Sequence, residues 1–99
     1  MTITKKQEGE KLTFALGGRL DSTTAPELQE QVGDLAGVKE LIMDMNDLEY
    51  ISSAGLRVML KAQKIMITQG SMKLVGVNSI IQEVLEMTGF SDILTVEPK

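Results

Sequence analysis

Cysteine and histidine are both missing from this 99-residue chain. Without cysteine there is no disulfide, no thiolate metal site and no sulfur nucleophile, which suits a reducing compartment. Without histidine the usual general base near neutral pH and the commonest neutral metal ligand are also gone. Aromatics are scarce: Phe14, Tyr50 and Phe90 are the only ones. The core must therefore be aliphatic, with seven methionines as adaptable filler. Cations are outnumbered, ten against fourteen acids. The net charge is −4, and no basic stripe interleaved with aromatics offers a phosphate-backbone footprint, so nucleic acid is not an expected partner. No apolar run approaches the ~20 residues of a bilayer span. Met1 to Glu10 is polar and does not resemble a signal peptide. These absences predict a cytoplasmic protein without direct membrane insertion.

What is present is ordinary globular material, 42% hydrophobic, with no linker, repeat or low-complexity segment. It predicts one domain over residues 1–99. Thr2 to Lys6 alternates weakly, Gly9-Glu10 marks a turn, and Lys11 to Leu16 places Leu12, Phe14 and Leu16 on one face. The pair predicts an antiparallel hairpin ended by Gly17-Gly18. A first helix comes next. Thr24 and Glu27 have capping-box spacing, Pro26 suits the first turn, and Ala25, Leu28, Val32 and Leu35 form one apolar stripe running towards Gly37. Lys39 to Met45 holds the apolar run Leu41-Ile42-Met43, the pattern of a strand buried on both faces. Gly55 to Gln69 is a second helix, with Leu56, Met59, Leu60, Met66 and Ile67 on one face and Arg57, Lys61 and Lys64 on the polar stripe. Met72 to Val75 is a further strand. Asn78 or Ser79 caps a third helix bearing Ile80, Ile81, Val84 and Leu85, and Ile93-Leu94 is a last strand or turn. This order predicts an α/β fold: a mixed, mostly parallel sheet of four to five strands, an N-terminal antiparallel hairpin, and three to four helices.

The segment Asp47 to Leu56 is the most informative. Two adjacent serines, Ser52 and Ser53, precede Gly55 where a loop becomes a helix. Serine there can cap the helix, because its oxygen accepts an orphan backbone N–H. It can also carry a phosphate, because free amides and the helix dipole favour an oxyanion. The two roles are compatible. Asp21, in Asp-Ser-Thr-Thr, is equally a turn residue and a candidate site residue. Asp44 is read as structural, bonding loop amides, and Asp47 and Glu49 as solvated loop charges.

Gly18-Arg-Leu-Asp21, the apolar strand ending at Asp44, and Ile51-Ser-Ser-Ala-Gly-Leu56 together resemble the STAS domain family, over nearly the whole chain. That family includes bacterial anti-sigma factor antagonists and domains attached to sulfate-type transporters. In it, the residue two before the glycine is commonly the phosphoacceptor. The resemblance therefore implies Ser53, with Ser52, which stands where the family often has Asp, as the alternative acceptor. It implies a partner-binding surface of Asp21, Ser52, Ser53, Ala54, Gly55, Leu56 and Arg57. It also implies a partner-switching cycle. The unphosphorylated protein binds an anti-sigma factor that is a serine kinase and so frees the sigma factor. Phosphorylation releases the kinase, and a serine phosphatase resets the cycle.

Enzyme chemistry finds little support. Ile51 breaks a Gly-x-Ser-x-Gly elbow, no histidine can activate Ser53, and no phosphate-binding Gly-x-x-x-x-Gly-Lys loop exists. Asp44, Asp47 and Glu49 match no cation loop. No catalytic residue, cofactor or metal is expected. The alternative reading is a cytoplasmic STAS subunit of a membrane transport complex, with Ser53 at a fixed interface and unmodified. A nucleotide-binding role ranks third.

Overall fold

The computed structural model describes residues 1–99. Strand β1 (Thr2–Glu8) turns at Gly9 (φ 62°) and returns antiparallel as β2 (Lys11–Leu20). Then come helix α1 (Ala25–Val32), β3 (Glu40–Ile51), α2 (Ser53–Met66), β4 (Ser71–Val77), α3 (Ser79–Met87), a 3₁₀ turn at Phe90–Asp92 and β5 (Val96–Pro98). The five strands lie in sequence order, and every pair after the hairpin is parallel. Each crossover steps to the next strand in the same direction. Right-handed connections of that kind put all three helices on one face.

The burial pattern agrees. Leu12, Phe14 and Leu16 of β2, Leu41, Met43 and Met45 of β3, and Met72 and Leu74 of β4 form one 25-residue core with Leu28, Met59, Ile81 and their helix neighbours. Thr13, Ala15, Asp44, Lys73 and Val75 alternate onto the other face and are only half-buried. The strand expected to be buried on both faces is thus covered by helices on one. Ile42 points to the bare face and lies outside the core cluster, although its strand neighbours leave it only 9% exposed. Both sheet edges are blunted against further pairing: β1 carries Lys5, Lys6 and Glu8, and β5 is three residues long with Pro98.

Several boundaries differ from expectation. Gly17-Gly18 does not end β2; the strand passes through the pair with irregular register on either side. Gly18 adopts φ 87°, and a Cβ on Gly17 would lie 2.6 Å from Thr2 Oγ1. The two glycines bend the strand rather than terminate it. β3 accordingly runs on to Ile51, which places Asp47 and Glu49 in a strand and not in a loop. α1 stops at Val32 because Gly33 is a weak helix former. Leu35 and Val38 still reach the core, from the loop that turns at Gly37 (φ 79°). α2 ends at Met66, which leaves Ile67 72% exposed and not on the buried face. Ile80 is likewise exposed on α3. Of the two readings of Ile93-Leu94 the turn is the one found: Leu94 plugs the core just after the 3₁₀ helix, and pairing begins at Val96.

Candidate functional site

The ends of β2 and β3 lie side by side, with Leu20 opposite Ile51, so the residues just beyond them meet. The Ser52 amide donates to the Leu20 carbonyl at 2.9 Å. This bond joins the serine pair to the Asp21 loop at the C-terminal edge of the sheet, where α/β folds gather their binding residues.

The Asp21 loop is tightly built. Asp21 Oδ1 accepts from the amides of Thr23 (3.0 Å) and Thr24 (3.2 Å). The Thr24 hydroxyl accepts from the Asp21 amide at 2.9 Å and donates to the Arg19 carbonyl at 2.8 Å. The expected capping box therefore does not form: Thr24 makes no side-chain cap bond, since its oxygen is used inside the loop. Partial desolvation pushes the Asp21 pKa up, but the Thr23 amide, the Thr24 amide and hydroxyl, and the Arg19 guanidinium outweigh it, so the carboxyl lies below its ordinary value of 3.8. Arg19 Nε is 3.8 Å from Asp21 Oδ2, and its guanidinium stacks 4.5 Å from the centre of the Tyr50 ring. Sequence reasoning missed this Arg19–Tyr50 pair, because both residues lie in strand extensions that it had ended early.

The two serines separate into different roles. Ser52 has extended backbone angles (φ −101°, ψ 177°) and is the N-cap; its Oγ accepts from the Gly55 amide at a long 3.5 Å. Ser53 is the first residue of α2. It is exposed, and its hydroxyl has no hydrogen-bond partner within the chain. Ala54 is half-buried against the core. Gly55 is buried because a Cβ there would come within 2.7 Å of Leu20 Cγ and 2.8 Å of Ile51 Cγ1. The glycine lets the helix start rest directly on the two strand ends. Leu56 is 3% exposed and anchors that start from below. Of the seven residues expected at the binding surface, Gly55 and Leu56 thus support it from beneath, while Ser53 and Arg57 stand outside it.

Asp44 does bond a nearby amide, accepting from Asn46 N at 3.0 Å and from the Asn46 side chain at 2.7 Å. An open cleft of about 570 Å³ lies between the β3 extension and the start of α3, bordered by Arg19, Tyr50, Asn78 and Lys99. Asn78 caps α3 through Ile81 N (2.8 Å) and ties it to the Leu48 carbonyl (3.0 Å). No group of three or more acidic side chains is gathered as a metal cluster. No helix is long and apolar enough to cross a membrane.

The mixed sheet thus brings a glycine-supported helix start and an exposed serine together with an acidic turn at one end of its parallel strands. The sequence profile of the STAS domain matches residues 2–99, and the chain belongs to that family. BtrV of Bordetella bronchiseptica is 32% identical over 99 residues, spanning 97% of this chain and 85% of that protein. The anti-sigma-B factor antagonist of Bacillus subtilis is 28% identical over 101 residues, spanning 100% of this chain and 93% of that protein. Among solved structures, the anti-sigma factor antagonist SpoIIAA superposes in its unphosphorylated form with a TM-score of 0.77 and in its phosphorylated form with 0.76. Identity is 14% in both cases, over 99% of this chain and 89% and 93% of those chains.

Proposed function

We propose that this protein is an anti-sigma factor antagonist acting in the cytoplasm, switched by phosphorylation of Ser53. Unphosphorylated, it binds an anti-sigma factor that is a serine kinase and so releases the sigma factor; phosphorylated, it lets go, and a serine phosphatase restores it. The protein itself catalyses nothing. The observation that carries this reading is the division of labour at the start of α2: Ser52 takes the cap, leaving the Ser53 hydroxyl exposed and unbonded beside the Asp21 loop. Relatives named as anti-sigma-B factor antagonists support the class.

The physical chemistry of such a switch is local. A phosphate on Ser53 adds roughly −1.5 to −2 charges. It stands at the positive end of the α2 dipole, so the fold tolerates it and the surface changes instead. Asp21, held ionised, adds to the negative field there.

Pull-downs from native-host lysate with the unaltered protein and Ser53→Asp, read by mass spectrometry, test the proposal. Capture of an anti-sigma factor kinase by the first and not the second supports it. Equal capture by both removes the switch. Recovery of transporter subunits instead points to a structural role in a membrane transport complex.

A further inference from the structure

The charges of this chain are segregated. From Ser52 to Gly70 there are three cations, Arg57, Lys61 and Lys64, and none of the chain's fourteen acids. From Leu74 to Pro98 the pattern inverts, with Glu83, Glu86, Asp92 and Glu97 and no cation. Arg57, Lys61 and Lys64 are all exposed. Their spacing from Ser53, four, eight and eleven residues, lines them along one face of α2. None of the three ion pairs in the structure uses them; those pairs are Lys6–Glu8, Arg19–Asp21 and Lys73–Glu97. Glu30 of α1 shares a groove with Lys61, but no ion pair joins them. A protein of net charge −4 thus carries an uncompensated cationic helix face, and the candidate phosphoacceptor sits at its head.

We infer that the exposed row Arg57, Lys61 and Lys64 makes this face of α2 the dock for an acidic surface of the anti-sigma factor. This rests on the antagonist reading above and adds the chemistry of the partner. Three cations attract an acidic patch over roughly a Debye length, about 8 Å at physiological salt. A phosphate on Ser53 cancels half or more of that charge at one end of the row. It also confronts the partner's acids directly, and like charges held together across an interface repel. Release then needs no rearrangement of the domain. Acid-rich α1 and α3 offer the partner no such attraction, which orients it on α2.

The test uses each anti-sigma factor kinase encoded by the host genome, purified and titrated calorimetrically with the antagonist. The variants are Lys61→Glu/Lys64→Glu and, as control, Glu83→Gln/Glu86→Gln on α3. All four positions are exposed, and thermal melting checks that both variants fold. The expected result is at least about a tenfold loss of affinity for the α2 variant, and about twofold or less for the control. Raising salt from about 50 to 500 mM should weaken the unaltered protein by a similar tenfold. Affinity unchanged by charge reversal and by salt overturns the inference while leaving the antagonist reading intact. If the unaltered protein binds none of the kinases, the antagonist reading fails and this inference with it. Sedimentation of the protein alone separates one further case: a dimer dispersed by Lys61→Glu/Lys64→Glu would assign the face to self-association and overturn the proposal.

Discussion

Helices α2 and α3 start in the same way and differ in the charge that lies one turn further along. Each begins at the C-terminal end of a parallel strand, is capped by a polar side chain, and exposes a serine at its first position: Ser53 after the Ser52 cap, Ser79 after the Asn78 cap. The Asn78 cap is short, and its amide is also tied to the Leu48 carbonyl. The Ser52 cap is long, and the helix start is held instead by Gly55 lying on Leu20 and Ile51. Four residues beyond the exposed serine stands Arg57 in α2 and Glu83 in α3. A negative group on Ser53 therefore meets a cation, and the same group on Ser79 meets an acid. An exposed serine at a helix start is common; the neighbouring charge makes the two different surfaces.

Substitutions sharpen or break this contrast, and the largest effects are in the core beneath each start. Ile81→Ala empties a fully buried position under α3 and should cost about 2–5 kcal/mol by denaturant titration. Gly55→Ala forces a methyl against Leu20 and Ile51 and should cost about 1–3 kcal/mol. The two differ in outcome: the glycine change should also shift the amide resonances of Ser52 and Ser53, and the isoleucine change should leave them in place. Next come the caps. Asn78→Ala should cost more than Ser52→Ala, about 1–2 against about 0.5 kcal/mol, because it also orphans the link to Leu48. Equal costs would mean that the longer Ser52 bond is the stronger cap.

Smaller effects arise from charge. Ser53→Asp should be neutral or stabilising by a few tenths of a kcal/mol, and Ser79→Asp less favourable, with the difference fading in about 1 M salt. A gap that persists in salt would show packing rather than charge. Last is Asp21. Its folded-state pKa lies below the ordinary 3.8, so the ionised form is the one the fold prefers. The stability it contributes is complete above pH 3.8 and is lost as pH falls through the lower folded-state value. Asp21→Asn should therefore flatten the acid limb of the melting-temperature profile below that pH and leave its slope at neutral pH unchanged.

The serine pair, the glycine after it, the second helix and the parallel sheet were legible in the sequence because each rests on local signals: cap chemistry, helical spacing and a continuous apolar run. The rest depended on tertiary context. Gly17-Gly18 has the composition of a turn, and only pairing with both β1 and the β3 extension makes it a bent strand. That turn-like composition hid the Arg19–Tyr50 stack and made Asp47 and Glu49 look like loop residues. Thr24 and Glu27 have capping-box spacing, but the Thr24 oxygen is drawn to Arg19 and Asp21. Ile67 and Ile80 are apolar at helix margins, where periodicity does not say which side faces the core. The separation of Ser52 from Ser53 also needed the structure, since either residue could have been the cap.

The five strands lie across the sheet in the order in which they occur along the chain. Every strand finds its partner in the segment just made, so no edge has to wait for a distant piece of sequence. Loops closed between neighbouring segments are short and entropically cheap. During synthesis the hairpin forms first, and each later helix and strand adds to an existing template. Helix α3 and β5 are made after the strands they join, so ribosome-bound chains should gain protection in the order β1 to β5.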